Sequence, residues 1–271
     1  MRPTSRLNDF CSLENRAAAY WARWVNNMMK ATKRAIMKIK NAVFVLAAMV
    51  VSFATGNAKA DLVAGWDFQT TANGGTAVVA APNTPNLYVA NFGTATMYLN
   101  GQEGSSNWVA AELNAFGGTT INAGPGFSTV VATPASLALV NSTGTNGKSV
   151  VFKFSMGGFK DLVVSFATQR SNSGFLTQTW AHSTDATNWT DTQVVSPTTS
   201  FSAQTLNTIT ALDGANAAYL RLTVTGAVSV NGNNRLDNIQ FNATAVPEPT
   251  SMMLLGCAAV GGWGVRRLRR R

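Results

Sequence analysis

The sequence predicts an all-β fold: an antiparallel two-sheet β-sandwich of jelly-roll type, flanked by an N-terminal signal helix and a short C-terminal hydrophobic helix. Residues 61–242 are rich in Thr, Asn, Ser, Gly and Ala and poor in Lys and Glu, a composition that disfavours helices with a solvated face. Short stretches of this region alternate between apolar and polar residues with a period of two. Turn residues separate them roughly every 10 to 15 residues, without intervening helical patterns.

The alternation is clearest in three stretches, 149–155, 219–225 and 237–241. In each of them every second residue is apolar and is expected to face the interior of the sandwich. These inward residues are Val150, Phe152 and Phe154 in the first stretch, Leu220, Leu222 and Val224 in the second, and Ile239 and Phe241 in the third. Further strands are predicted at 62–68, 87–92, 137–140, 162–167 and 177–182.

Turn signals lie between the predicted strands, because Asn and Gly tolerate the positive φ that tight turns require. They occur at 73–75, 100–101, 117–118, 146–147, 157–158, 213–214 and 231–233. Residues 101–133 show the least regular pattern and are expected to form long loops. Residues 243–250 are predicted to be a linker.

The N-terminal region predicts export. Residues 37–60 read as a secretory signal peptide, with basic residues before the apolar stretch 42–54. Ala58 and Ala60 supply the small residues of a cleavage site, so we expect cleavage between Ala60 and Asp61. Residues 1–36 are interpreted as an over-long start or an extended basic region before the signal peptide.

The C-terminal residues carry the most specific pattern in the chain. Pro247-Glu248-Pro249 precedes a short apolar segment, predicted to span the membrane over residues 251–265, and residues 266–271 form an Arg-rich cytoplasmic stop. The basic residues of that stop are Arg266, Arg267, Arg269, Arg270 and Arg271. This arrangement resembles the PEP-CTERM sorting signal. The resemblance implies recognition by an exosortase at the inner membrane of a Gram-negative bacterium and processing near the Pro-Glu-Pro motif.

The distribution of charge argues against a nucleic-acid partner. Residues 1–60 carry +8 (ten basic and two acidic residues), and residues 246–271 carry +4 (five and one). Residues 61–245 carry −3 (six and nine), so the overall charge of +9 reflects the targeting segments alone. Both cysteines, Cys11 and Cys257, also lie outside residues 61–245. The exported domain therefore depends on its core, or on a bound ion, rather than on disulfides.

Two local patterns resemble carbohydrate-binding and discoidin-like sandwiches. Residues 180–190 resemble a hairpin in which a strand ends in Ser-x-Asp-Gly and a Trp opens the next strand, with Ala186 at the usual Gly position. Residues 235–241 are similar to a closing strand of many jelly rolls. The resemblance supports the fold class more than any particular ligand.

Catalysis has little support in the sequence, and we predict a non-enzymatic protein. His182 is the only histidine, and residues 61–245 contain neither a cysteine nor a Gly-x-Ser-x-Gly motif. Two aspartates could in principle hydrolyse a glycosidic bond. Most carboxylates of the domain lie beside turn residues, where they are more often backbone caps.

Asp67 and Asp237 are candidate metal ligands. Asp237 has the same parity as the inward residues Ile239 and Phe241, and an isolated buried charge is costly. Asp67 belongs to the predicted first strand and Asp237 to the last, which jelly rolls often place side by side. A Ca²⁺ ion held by carboxylates and loop carbonyls would fit this pair. The alternative is that Asp237 accepts hydrogen bonds from Arg235 or from loop amides.

Trp108 and Trp189 are candidate glycan-binding residues. Both lie near turns, where an exposed ring can stack on a sugar. Trp66 and Trp180 are expected in the core. The sequence thus predicts an exported cell-surface or exopolysaccharide-associated protein of the biofilm matrix. The alternatives are a carbohydrate-binding module of that matrix, a secreted glycoside hydrolase, and a structural protein that binds no small ligand.

Overall fold

The computed structural model describes residues 21, 23–34, 36–37, 60–69 and 87–246. The chain divides into two compact units, Met1–Asn57 and Ala58–Arg271. Within the first unit the described residues are helical and solvent-exposed apart from the half-buried Val25, and the indole rings of Trp21 and Trp24 lie 6.1 Å apart. Most of the predicted signal peptide and all of 247–271 lie outside the described residues.

The described residues of the second unit, 60–69 and 87–246, form thirteen β-strands. In chain order the strands are β1 (Ala60–Trp66), β2 (Leu87–Val89), β3 (Phe92–Gly93), β4 (Ala95–Tyr98), β5 (Leu113–Phe116), β6 (Ser136–Val140), β7 (Ser149–Phe154), β8 (Phe159–Arg170), β9 (Thr177–Ser183), β10 (Thr190–Val195), β11 (Ser202–Thr205), β12 (Ala218–Thr225) and β13 (Asn233–Ala245). A short 3-10 turn, Ala110–Glu112, precedes β5.

The strands form two antiparallel sheets, which confirms the predicted β-sandwich. The first sheet has the order β11-β8-β13-β1-β3, with β6 beside the first residues of β13 and β5 beside β6. The second sheet has the order β10-β9-β12-β7-β4-β2. Every strand pair in both sheets is antiparallel.

The core lies between the sheets and follows the predicted alternation. All eight inward residues predicted in β7, β12 and β13 are buried, as are Trp66 and Trp180. The rings of Trp66 and Phe241 meet edge to face with centroids 5.4 Å apart, and Phe152 contacts both. Burying such a side chain contributes roughly 1.5–3 kcal/mol, so this aromatic group joins the two sheets.

The last strand, β13, occupies the middle of the first sheet. It pairs with β8 on one side and with β1 and β6 on the other. We predicted that a linker begins at residue 243, but residues 243–245 continue β13, because Ala243 is buried and Thr244 pairs with both Ala60 and Lys160. The amide of Val246 then donates to the carbonyl of Gly158 at 2.8 Å. The Pro-Glu-Pro motif therefore follows the folded domain directly.

The hairpin between β9 and β10 is held by Asp185. Its carboxylate accepts hydrogen bonds from the amides of Asn188 (2.8 Å) and Thr187 (2.9 Å) and from the hydroxyl of Ser183 (2.8 Å). These bonds, above all that from the amide of Asn188, hold the pKa of Asp185 well below its usual range. Ala186 has a φ of 58°, in the left-handed region that glycine favours.

We expect Ala186→Gly to stabilise the domain by about 1 kcal/mol, because an L-residue in the left-handed region costs roughly that much. Urea unfolding should show a higher midpoint with an unchanged slope. The matched control, Ala181→Gly in strand β9, should lower stability, since glycine is unfavourable inside a strand. A lower midpoint for Ala186→Gly would contradict the strained geometry.

Candidate functional site

The fold brings the predicted metal ligands Asp67 and Asp237 together. Asp67 follows β1, whose last residue, Trp66, pairs with Ile239 of β13. Asp237 lies two residues before Ile239, where β13 forms a bulge against β8 and Asn238 takes a φ of 48°. Both aspartates are completely buried.

Backbone amides occupy all four carboxylate oxygens of this pair. Asp67 accepts from the amides of Gln69 (3.0 Å) and Ser128 (2.8 Å). Asp237 accepts from the amides of Thr119 (2.7 Å) and Asn238 (2.9 Å). Backbone amides therefore satisfy Asp237, as in one of the alternatives that the sequence left open. The other alternative named Arg235, but its guanidinium stacks on the ring of Phe116 instead.

The pair anchors the long loop 117–135 to the first sheet. The side-chain amide of Asn238 donates to the carbonyls of Thr119 (2.7 Å) and Ile121 (3.0 Å). A Cβ at Gly118 would lie 2.5 Å from Oδ2 of Asp237 and 2.7 Å from the carbonyl oxygen of Ala135. Only glycine lets the loop approach so closely, and the loop in turn excludes water from the carboxylates.

The electrostatics of the pair reflect this exclusion of water. Burial above all, together with the neighbouring charge of Asp67, raises the pKa of Asp237 to about 7, against the opposing effect of the two amide hydrogen bonds. Oδ1 of Asn238 is buried and has no hydrogen-bond partner among the described residues. The two carboxylates and the amide oxygen of Asn238 are oxygen ligands of the kind that a hard divalent cation prefers.

A Ca²⁺ ion at this place would need further oxygen ligands. The described residues contain no group of three or more His, Cys, Asp or Glu side chains that could hold a metal ion. Carbonyl and amide oxygens would therefore have to complete the six to eight ligands that Ca²⁺ takes. The residues present offer such an ion two buried carboxylates, each oxygen of which already accepts a hydrogen bond from a backbone amide.

Trp108 does not offer the exposed ring that we predicted. Its side chain is 1% exposed, and its indole N–H donates to the carbonyl of Ser149 at 2.9 Å. The ammonium of Lys148 lies 5.7 Å from its ring centroid and also pairs with the carboxylate of Glu112. The prediction of an exposed glycan platform at Trp108 is wrong, because the ring belongs to the hydrophobic core and its indole N–H bonds to the main chain of β7.

Residues 100–108, here called the covering loop, lie across the outer face of the second sheet. Ser106 bonds to Ser149 at one end of β7, and Glu103 pairs with Lys153 at 2.7 Å near the other end. The alternation in 219–225 puts Tyr219 on this outer face, yet Tyr219 is buried, and the ammonium of Lys153 lies 5.6 Å from its ring centroid.

Trp189 lies at the edge of the covering loop and is half-buried. The guanidinium of Arg221 stacks on its ring at 4.3 Å, and a Cβ at Gly104 would come within 3.3 Å of the indole. Part of the ring is therefore engaged in the fold. Trp189 remains a candidate contact for a ligand.

A groove of about 630 Å³ opens beside β2, β4 and β7, and one of its lining residues, Lys153, pairs with Glu103 of the covering loop. Val89, Thr96, Lys153, Ser155 and Asn216 are among the residues that line it. Tyr98 follows two residues after Thr96 on the same face of β4 and is half-buried. The sequence did not indicate this groove, because its walls come from β2, β4, β7 and the turn before β12.

His182 lies in strand β9 and is half-buried. Its Nδ1 lies 2.9 Å from the hydroxyl of Thr192, and burial lowers its pKa. Its partner is therefore a hydroxyl group on the neighbouring strand β10.

Comparison with known proteins identifies the C-terminal segment. The PEP-CTERM protein-sorting motif family matches residues 245–271, which confirms the predicted sorting motif and marks the chain as an exported protein sorted by exosortase. No curated protein matches the sequence. Within the part of the chain that the structure describes, no helix is long and apolar enough to span a membrane, and the predicted span at 251–265 lies outside it.

Among solved structures, the CBM22-1 xylan-binding domain of Paenibacillus barcinonensis Xyn10C aligns over 70% of this chain and 99% of its own, with 9% identity and a TM-score of 0.39. TmCBM61 in complex with β-1,4-galactotriose aligns over 48% and 81%, with 11% identity and a TM-score of 0.32. The K2 cleaved adhesin domain of Lys-gingipain aligns over 42% and 75%, with 13% identity and a TM-score of 0.31. All three TM-scores are low.

We expect the exported domain, in a chelating buffer, to become more stable as the pH falls from 8 to about 5. A carboxyl group with a folded pKa of about 7 and an unfolded value near 3.9 contributes its full stabilisation below the unfolded pKa and loses it as the pH rises through 7. Urea unfolding should show a change of up to about 1.4 kcal/mol per pH unit.

Two variants test the source of this pH dependence. Asp237→Asn should flatten it, whereas Asn at the exposed Asp213 should leave it in place. A wild-type stability that is constant between pH 5 and 8 would contradict the raised pKa.

Proposed function

We propose that this chain is a non-enzymatic protein of the cell surface or extracellular matrix of a Gram-negative bacterium, where its β-sandwich associates with exopolysaccharide. The sorting motif at 245–271, directly continuous with the last strand of the sandwich, carries the proposal. After export the tail anchors the domain transiently in the inner membrane. Exosortase then processes the chain near Pro247-Glu248-Pro249, and the domain passes to the surface.

The geometry of the carboxylates supports a non-catalytic role. A glycoside hydrolase needs two carboxyl groups that flank a bound sugar. Asp67 and Asp237 are buried and hold the amides of loop 117–135, so a substrate cannot reach them without opening that loop. Asp185 is likewise engaged as the cap of its hairpin.

The outer face of the second sheet supports polysaccharide binding. The groove combines hydroxyl and amide groups, from Thr96, Ser155 and Asn216, with the apolar side chain of Val89. Such a mixture suits a sugar chain, which presents both hydroxyl groups and apolar C–H faces. Trp189 lies beyond the covering loop on the same face and can contribute a ring edge.

Co-sedimentation of residues 61–246 with the producing organism's extracellular polysaccharide tests this function. We expect binding that the double variant Thr96→Ala/Asn216→Ala weakens about tenfold, because roughly 1.4 kcal/mol of contact is lost. The control, Thr199→Ala/Ser200→Ala, changes exposed residues away from the groove and should bind like the wild type.

The alternatives give different results in the same assay. Loss of binding only in Trp189→Ala would transfer the site to the other side of the covering loop. Release of reducing sugar would indicate a hydrolase and contradict the non-enzymatic role. Absence of binding under every condition would leave a structural surface protein and contradict polysaccharide recognition.

We further propose that Ca²⁺ binds beside Asp67 and Asp237 as a structural ion. The two close carboxylates, and the raised pKa of Asp237, support a site that favours positive charge. The ion would fasten loop 117–135 to β1 and β13, whose residues already bond to it. The polysaccharide groove lies on the other sheet, so chelation is expected to change stability before binding.

Thermal unfolding with millimolar Ca²⁺ and with chelator tests this ion. At a Ca²⁺ concentration about 100-fold above Kd we expect about 2.7 kcal/mol of stabilisation, or a rise in Tm of roughly 5–10 °C. Asp67→Asn and Asp237→Asn should each abolish the rise, whereas Asp213→Asn should retain it. Equal wild-type Tm values in Ca²⁺ and chelator would rule out the ion.

A further inference from the structure

The two ends of the sandwich differ in the chain segments that connect to them. We call the end that holds Ala60, Gly158, Val246 and the turn 210–216 the tail end. The opposite end, here called the far end, consists of the loops 141–147, 171–176 and 226–232. Strand β13 runs from the far end to the tail end over 13 residues, or about 40 Å.

Both predicted membrane segments connect to the tail end. Ala60, which precedes the predicted signal-peptide cleavage, pairs with Thr244 of β13. Ala245 pairs with Phe159, and the amide of Val246 donates to the carbonyl of Gly158 at 2.8 Å. The chain is therefore fixed to the sandwich up to Val246.

Little chain remains between this fixed point and the apolar tail. Five residues, Pro247 to Ser251, separate Val246 from Met252, where the apolar run begins. Six residue steps span about 20 Å even when fully extended. This distance is roughly half the length of β13, so the domain cannot turn over while the tail is in the membrane.

Charge at the tail end does not attract this end of the sandwich to the membrane. Its exposed or half-buried ionised residues include Asp61, Asp213 and the pair Lys160–Asp161, at 3.3 Å. This set is net negative and is repelled by anionic lipid. The covalent connection alone then determines which end faces the headgroups.

The far end presents a different surface. Its three loops contain no charged residue. Asn141 bonds the first loop to the third, since its amide donates to the carbonyl of Gly232 and its carbonyl accepts from the amide of Asn231. The amide of Val228 donates to the carbonyl of Ser173 in loop 171–176 at 3.2 Å. Val228 is 76% exposed, and Val230 and Leu176 are also exposed.

We propose that, while the sorting tail is in the membrane, the tail end of the sandwich faces the lipid headgroups and the far end, with Leu176, Val228 and Val230, points away from the membrane. This proposal rests on the membrane role of the tail in the proposed function. It assigns the far end as the part of the domain that projects furthest into the periplasm while the tail is in the inner membrane.

Energy transfer to labelled lipid tests the orientation. The predicted mature chain, residues 61–271, in a Cys257→Ser background, is labelled with a donor dye at Asn216→Cys (tail end) or Ser229→Cys (far end), so that the C-terminal tail is the only predicted membrane segment present. The protein is reconstituted into phosphatidylethanolamine/phosphatidylglycerol vesicles that carry an acceptor on the headgroup. We expect strong transfer from position 216 and weak transfer from position 229. Equal or reversed transfer in protein that floats with the vesicles would overturn the orientation.

A spacer variant tests whether the short connection between Val246 and the apolar tail causes the orientation. Twenty Gly/Ser residues inserted between Val246 and Pro247 add about 25 Å of flexible chain, so transfer from position 216 should fall towards that from 229. A difference that persists with the spacer would mean that the tail end itself binds lipid, against the proposal. If the unmodified chain does not float with the vesicles, the membrane role of the tail fails, and the orientation fails with it.

Discussion

The structure depends on the pairing of β13 with its neighbours. This strand lies in the middle of the first sheet, contributes Phe241 to the aromatic group that joins the two sheets, and carries Asp237. It is also the last part of the sandwich in the sequence and leads directly into the sorting motif. The first sheet therefore cannot close until the chain has been exported almost to its apolar tail.

The bulge in β13 brings two backbone amides onto the buried carboxylate of Asp237. At Asn238 the backbone departs from the regular ladder, and the amides of Thr119 and Asn238 converge on the carboxylate of Asp237. Two buried carboxylates that repel one another are unfavourable by themselves. The amides of loop 117–135 offset that repulsion, so loop order and local charge are coupled.

Residue patterns predicted the parts of this molecule that depend on local periodicity. The alternation in β7, β12 and β13 identified buried residues such as Phe152, Leu222 and Phe241, and the parity of Asp237 indicated its burial. The burial of Trp108 could not be predicted, because its ring joins a core built from residues distant in the sequence. The burial of Tyr219 could not be predicted either, because Lys153 of the neighbouring strand β7 lies over its ring. The same holds for short strands such as β4, which lies in a Thr- and Ala-rich stretch and is defined by its pairing with β7.

The folded sandwich continues to Val246, without a flexible linker before the Pro-Glu-Pro motif. Amide hydrogen exchange of the exported protein, resolved over residues 239–249, tests it most directly. We predict that the amides of Phe241 and Ala243 exchange as slowly as those of β8, with measurable protection still present at Val246. Exchange at the rate of an unstructured chain from residue 243 onward would contradict the account.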